Sequence, residues 1–395
     1  VAATALSACS APDPAADLLL LTIDTLRGDR WGCLGDPSAR SPEMDRLARG
    51  GLLAFEGRAP APLTLPSHVS AMTGLPPAMH GVRDNGVFAL PPDGPPTVAE
   101  VLRDGGWTTA AFVSAFPLKG RFGLDRGFDV YQESLGAGDA EAAHVRERPA
   151  SETVDRVGRY LSRKRAPDPG KPLFLWVHLF DPHAEYRAPD PWPALYPDAP
   201  YDAEVAFADR HAGRLLDLLD EARPGRRRRV VVLSDHGESL GEHGEPTHGV
   251  LLHAATLRVP ILVRDERHAP RLRAAPVPLE SAARSVLALA GVRGGLDPAA
   301  AAPVDEFSGA VGAESLYPAL NFGWRALRAR EEGGWKLIAG ERDRLYRPDE
   351  DPAETRDVAA EHPDVVARLR DALEESAKDA RVRAAPPPRA QGPDE

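Results

Sequence analysis

The chain has 395 residues, 43% of them hydrophobic, which is enough for one large buried core with a smaller unit beside it. A net charge of −11 argues against a nucleic-acid polymer as partner. Two cysteines, Cys9 and Cys33, are too few for a disulfide framework, and Cys33 reads as a buried or loop thiol.

In chain order, "LSAC" (Leu6 to Cys9) closes a short apolar stretch and is followed by "SAPDPAAD". The stretch resembles a bacterial lipobox, with Cys9 lipidated and residues 1–16 forming signal remnant and tether. It predicts a periplasmic or cell-envelope lipoprotein that meets a membrane surface only through that anchor. Nearly continuous apolar runs follow at 17–24, 107–113, 172–180, 229–235 and 259–263. Such runs suit strands buried on both faces, hence a parallel α/β sheet. Helical patterns fall at 42–50, 67–74, 97–105, 151–164 and 202–222. Arg226–Arg229, after Pro224 and Gly225, reads as a solvated turn. Residues 296–312 read as a linker between a unit over 17–295 and a second over 313–377. The second holds "GWKLIAG" and a helix near 362–377, and 378–395 reads as a disordered tail.

Three apolar runs end in Asp24, Asp181 and Asp235, the last followed by His236. Parallel sheets bind ligands beyond the carboxyl ends of their strands. Three carboxylates delivered there repel one another unless a cation sits among them. A lone Asp in such a place reads first as a helix cap. Three, joined by His236 and the "LTLPSH" junction at 63–68, read as a metal site.

Several segments resemble the alkaline phosphatase/sulfatase superfamily, especially its sulfatase-like branch. They are "LLLLTIDTLRGDRWGCLG", "PLTLPSHVSAMTGLPPAMHGVRDN", "RFGLDRGFDVY", "FLWVHLFDPHAEY", "VVVLSDHGESLGEHGEPTHG", "LRVPILVR" and "WKLI…LYRPDEDPAETRDVA". The resemblance covers most of 17–370. It implies a three-layer α/β/α core with a mostly parallel central sheet and a small C-terminal α+β subdomain.

By that resemblance Asp24, Asp235 and His236 correspond to metal ligands, and Thr64 to a nucleophile that also touches the metal. Metal contact and a helix N-terminus would both help a weak hydroxyl nucleophile. Ser67 reads as the cap of that helix. Sulfatases carry Cys or Ser at the Thr64 position and oxidise it to formylglycine, which threonine cannot form. The Arg of their pattern is His68 here, the second of their paired Asp residues is Thr25, and "FVSAFPLKG" stands where their Gly-Lys-Trp-His-Leu-Gly is expected. The nucleotide pyrophosphatase/phosphodiesterase branch is more similar, at Thr64, His68, "TGL" (73–75), "HG" (80–81) and Asn85. Asn85 would then hold a non-bridging oxygen, although in "RDNG" it also reads as a turn residue. Asp181, His183 and His248 either hold a second ion, or the histidines bind the ester and protonate its leaving group. Together Asn85, His68, His183 and His248 form the expected substrate-binding set. His243 is a weaker candidate with a surface-loop alternative, and Arg27 occupies a recurrent family position.

The implied cofactor is one or two divalent ions, with zinc or manganese favoured over calcium because His236 supplies an imidazole. The implied reaction is hydrolysis of a small-molecule, glycan or lipid phosphate mono- or diester through a phosphothreonine at Thr64. Sulfate-ester hydrolysis without formylglycine is the alternative enzyme. A non-catalytic member that binds an anionic glycan or lipid is the alternative of another class.

Overall fold

The computed structural model describes residues 16–32, 39, 41–49, 52–135, 148–162, 167–265, 271–273 and 275–383. Cys9 and Cys33 lie outside them, so the lipobox and thiol readings do too. In chain order the strands are β1 (Ala16–Ile23), β2 (Leu52–Arg58), β3 (Thr108–Phe112), β4 (Val130–Gln132), β5 (Leu173–Leu179), β6 (Arg227–Ser234), β7 (Arg258–Arg264), β8 (Arg271–Arg273), β9 (Val277–Pro278), β10 (Val311–Ser315), β11 (Leu327–Glu332), β12 (Trp335–Ala339) and β13 (Arg344–Tyr346). The helices are α1 (Pro42–Ala48), α2 (Thr64–Thr73), α3 (Pro77–His80), α4 (Val98–Asp104), α5 (Ala150–Leu161), α6 (Trp192–Leu195), α7 (Pro200–Ala222), α8 (Ala254–Leu257), α9 (Ser281–Ala290), α10 (Tyr317–Phe322) and α11 (Pro363–Arg383).

The main sheet runs β4-β3-β5-β1-β6-β7-β2-β8, with β9 beside β2. All eight residues of β1 are buried, as the sequence of that strand requires. Their alternation feeds two cores: Leu18 and Leu20 join Phe174, Trp176, Val69 and Val286 on one face. Leu19, Leu21 and Ile23 join Leu175, Val154 and Leu215 on the other. Helices α2, α4 and α9 contact one another, and α7 contacts both α1 and α5, which makes three layers. Truncating one of these strand leucines to Ala would cost about 2–5 kcal/mol.

The sheet is mostly parallel, but β7 runs antiparallel to both β6 and β2. Its apolar run, "VPILV", carries no sign of direction. β2 escapes the sequence pattern because Glu56, Gly57 and Arg58 interrupt its apolar run, and a register shift falls between Ala54 and Gly57. Arg226–Arg229 is not a solvated turn. Residues 227–229 open β6, and carboxylates face the run: Asp17 meets Arg226, Asp220 meets Arg228 and Asp265 approaches Arg229.

A second sheet, β10-β11-β12-β13, is antiparallel. Leu369 of α11 is buried with Leu337 and Leu345 of this sheet, while Ala329, Ile338 and Tyr346 join the larger core. The stretch 296–312 packs as well, because Leu296, Ala300 and Val304 are buried in that same core. α11 continues to Arg383, six residues into the stretch expected to be disordered. Among the described residues no helix is long and apolar enough to cross a membrane.

Candidate active site

β1 and β6 are parallel neighbours, with Ile23 opposite Ser234. The next residue of each, Asp24 and Asp235, therefore leaves the sheet at the same edge, side by side and fully buried. Asp235 Oδ1 accepts the backbone N–H of Thr25 at 3.3 Å and of His236 at 2.9 Å, which orients the carboxylate. Gly237 follows because the chain there presses on α8: a Cβ would lie 2.1 Å from the Ala255 carbonyl oxygen.

His236 Nδ1 donates to the Gly237 carbonyl at 2.9 Å, so its Nε2 carries the lone pair. That nitrogen is 3.5 Å from Thr64 Oγ1, 3.7 Å from Asp24 Oδ1 and 3.5 Å from Asp235 Oδ2. Donors around one tetrahedral zinc-sized ion stand about 3.3 Å apart, so the spacing is that of a ligand set. Both oxygens of Asp24, and Oδ2 of Asp235, are buried without a hydrogen-bond partner. Burial pushes Asp24 up to about 7, against the pull of His248. Asp235 is raised further, by burial first and by Asp24 next, and burial holds His236 neutral. Unpartnered carboxylates facing a neutral imidazole fit a divalent cation. Asp24, Asp235 and His236 form this group, with donor atoms within 4.8 Å of one another.

Thr64 is the first residue of α2, three residues earlier than the sequence pattern placed the helix start. Ser67 does not cap: its hydroxyl donates to the Ala61 carbonyl at 2.8 Å. The Leu65 N–H donates to Asn85 Oδ1 at 2.8 Å, which brings Asn85 beside Thr64 and leaves its Nδ2 uncommitted. Ser67 N–H is taken by the Leu63 carbonyl, and Pro66 has none. The Thr64 N–H is thus the donor left in the first turn.

His68 corrects an expectation. It is fully buried, with Nδ1 donating to the Thr64 carbonyl at 2.8 Å and Nε2 3.1 Å from Thr22 Oγ1. Trp176 Nε1 donates to the same Thr22 oxygen at 3.1 Å. Both ring nitrogens are engaged within the protein, so the buried His68 braces the first turn of α2 and is not open to a substrate. Asp181 is a second correction. Its Oδ2 accepts the N–H of Ala150, the first residue of α5, at 2.8 Å, and it is not part of the group formed by Asp24, Asp235 and His236.

His183 and His248 do reach the cluster. The His248 ring lies 4.5 Å from that of His236 and 5.1 Å from that of His183. His183 Nδ1 donates to the Ala184 carbonyl at 2.7 Å, and its ring stacks on Phe180. Burial drives His183 down to about 3. His248 behaves oppositely: burial works against its proton, but Glu238, 2.9 Å from Nδ1, raises it above the usual histidine range. Glu238 is fully buried, and no feature of the sequence singles it out.

His178, also missed, sits inside the apolar run of β5. Its Nε2 is 3.3 Å from Asp24 Oδ2, and Ser114 Oγ meets its Nδ1 at 2.8 Å. Arg27 is a clip: it forks onto Asp29 at 2.8 Å and reaches Glu242 at 2.7 Å and the Glu238 carbonyl at 3.0 Å. His243 stacks on His253 at 3.6 Å and bonds the Ala353 carbonyl, away from the cluster.

The family model for sulfatases matches residues 16–292. The chain is 26% identical over 283 residues to N-acetylgalactosamine-6-sulfatase of Canis lupus familiaris, covering 61% of this chain and 53% of that protein. It is 24% identical over 330 residues to iduronate 2-sulfatase of Mus musculus, covering 63% and 59%. The chain therefore spans little more than half the length of these relatives. Among solved structures, the phosphonate monoester hydrolase of Agrobacterium radiobacter superposes with a TM-score of 0.73 at 18% identity, covering 92% of this chain and 96% of that one. An enzyme solved with its substrate D-glucosamine-2-N,6-O-disulfate gives 0.75 at 18% identity, covering 93% and 98%. These likenesses show the alkaline-phosphatase-like fold, and the family match, over more than half the chain, places this protein in the sulfatase family.

Proposed function

We propose that the protein is a metal-dependent ester hydrolase that cleaves phosphate mono- or diesters through Thr64. The observation that carries the reading is the hydroxyl of Thr64 standing 3.5 Å from His236 Nε2, beside buried oxygens of Asp24 and Asp235 that have no hydrogen-bond partner. Asp24, Asp235, His236 and Thr64 would hold one divalent ion, zinc or manganese before calcium. Such an ion lowers the pKa of a bound hydroxyl and neutralises charge on the reacting group.

Thr64 Oγ1, its proton given up to solvent, attacks phosphorus as the leaving oxygen departs in line, so one P–O bond forms as another breaks. Asn85, its Oδ1 tied to Leu65, turns Nδ2 to a non-bridging oxygen, and the Thr64 N–H supports the same charge. His248, hydrogen-bonded through Nδ1 to Glu238, gives its proton to the leaving oxygen. Water, giving a proton back to His248, then attacks the phosphothreonine, releases phosphate or a monoester and returns Oγ1 to Thr64.

Sulfate-ester hydrolysis is the second reading, supported by the sulfatase relatives. It would proceed without formylglycine, which Thr64 cannot become. The test is a side-by-side panel of aryl phosphate mono- and diesters, aryl phosphonates and aryl sulfates. The phosphorus esters are expected to turn over and Thr64→Ala to abolish that turnover. Activity on sulfates alone, or full activity in Thr64→Ala, would overturn the phosphoesterase reading.

A further inference from the structure

Among the described residues, the exposed large apolar side chains other than Leu195 of α6 fall on three segments. Val87 follows Asn85 by two residues and Leu240 follows Glu238 by two, so both sit on loops that leave the catalytic cluster. Leu320, Phe322 and Trp324 lie together at α10 and just beyond it, the last 63% exposed. Tyr317, at the start of that helix, ties them to the site. A Cβ on Gly249 would stand 3.6 Å from Leu63 and 3.9 Å from the Tyr317 ring, and Gly249 has φ of 112°. Leu63 precedes the nucleophile and Gly249 follows His248, so Tyr317 sits where those two segments meet. Ser315 Oγ fixes the contact by donating to the Gly249 carbonyl at 2.6 Å.

From Tyr317 the rings run outward. Phe322 meets Tyr317 edge-on at 5.8 Å, and Trp324 meets Phe322 at 5.0 Å. No charged residue interrupts 320–324. The polar side chain among them, Asn321, turns back to donate to the Tyr317 carbonyl at 3.0 Å. The ledge thus offers apolar area and little for sugar hydroxyls to bond. A patch of this kind costs solubility and marks a binding surface.

We propose that the ledge receives the apolar part of the ester substrate, so that the reacting group is carried on a bulky aryl or alkyl alcohol. The inference rests on the ester-hydrolase reading of the Thr64 cluster. Because the ledge starts at the flank of His248, the group lying on it is the alcohol on the leaving side or a second ester arm.

The test compares phenyl phosphate with 4-octylphenyl phosphate, and binding of methylphosphonate with octylphosphonate by titration calorimetry. Burial of part of an octyl chain predicts a preference of about 10- to 100-fold in kcat/KM for the octyl ester and in affinity for octylphosphonate. Trp324→Ala and Phe322→Ala should each cut that ratio by about fivefold or more. Equal kcat/KM for the two esters, or a preference that survives both substitutions, overturns the ledge and leaves ester hydrolysis standing. No turnover of either ester, with Trp324-dependent preference for octylphosphonate, keeps the ledge and overturns the hydrolase reading. Dimerisation or phosphatidylcholine-vesicle binding that Trp324→Ala abolishes, without any chain preference, assigns the patch to another occupant and overturns the inference.

Discussion

Asn85 Oδ1 accepts the backbone N–H of Leu65 at 2.8 Å, so the loop after α3 and the first turn of α2 are locked together beside Thr64. The bond fixes which end of the amide faces away from Leu65, and that end is a donor. Asn85→Ala is therefore expected to lower kcat by about 10²-fold with a smaller change in KM. Asn85→Asp should do no better, since it replaces the donor with a second acceptor. Steady-state kinetics on an aryl phosphate check this, and a wild-type kcat in Asn85→Ala contradicts it.

Glu354 joins the C-terminal subdomain to the catalytic unit. Lys336 Nζ bonds it at 2.7 Å, His253 Nδ1 lies 3.1 Å away and the Ala254 N–H donates at 3.0 Å. Burial works against the carboxylate, but Lys336 and then His253 hold it down to about 2, below the ordinary 4.5. A depressed folded pKa gives stability that is present above pH 4.5 and lost as pH falls toward 2. The contribution is about 3 kcal/mol. Glu354→Gln leaves the buried Lys336 ammonium unpaired and should cost about 3–5 kcal/mol near neutral pH. Thermal melts from pH 7 downward should show the difference from wild type shrinking below pH 4.5. A constant difference would contradict this account.

Metal binding should appear as stability before it appears as activity. Zinc or manganese at about a hundredfold over its Kd should add about 2.7 kcal/mol, reversed by a chelator. Asp235→Asn should lose most of that shift, because it removes one of the carboxylate charges facing His236. A larger shift with calcium than with either metal would contradict the preference assigned to the imidazole.

Asp24, Asp235 and His236 were legible because the two Asp residues each end an apolar run and His236 follows the second, and adjacent parallel strands must deliver such residues to one edge. Asp181 follows the same pattern and lands elsewhere. A carboxylate past a strand end can equally accept an N–H from a neighbouring helix start, and only the placement of α5 decides it. His178 and His68 were hard to read for the reverse reason. A histidine inside an apolar run shows nothing of its partners, and those of His68 are Thr22 of β1, Asp235 just past β6 and Thr64 of its own helix. Glu238 becomes visible only when the chain turns back to bring His248 against it. The antiparallel entry of β7 and the interrupted run of β2 are tertiary outcomes that apolar periodicity does not encode.

The central claim, a covalent intermediate on Thr64, is tested most directly by acid quench of the zinc- or manganese-loaded enzyme during turnover of an aryl phosphate, followed by peptide mass spectrometry. The prediction is one phosphoryl group on the peptide carrying Thr64, absent from Thr64→Ala. Sustained turnover with Thr64 unmodified, and with Thr64→Ala still active, would contradict it.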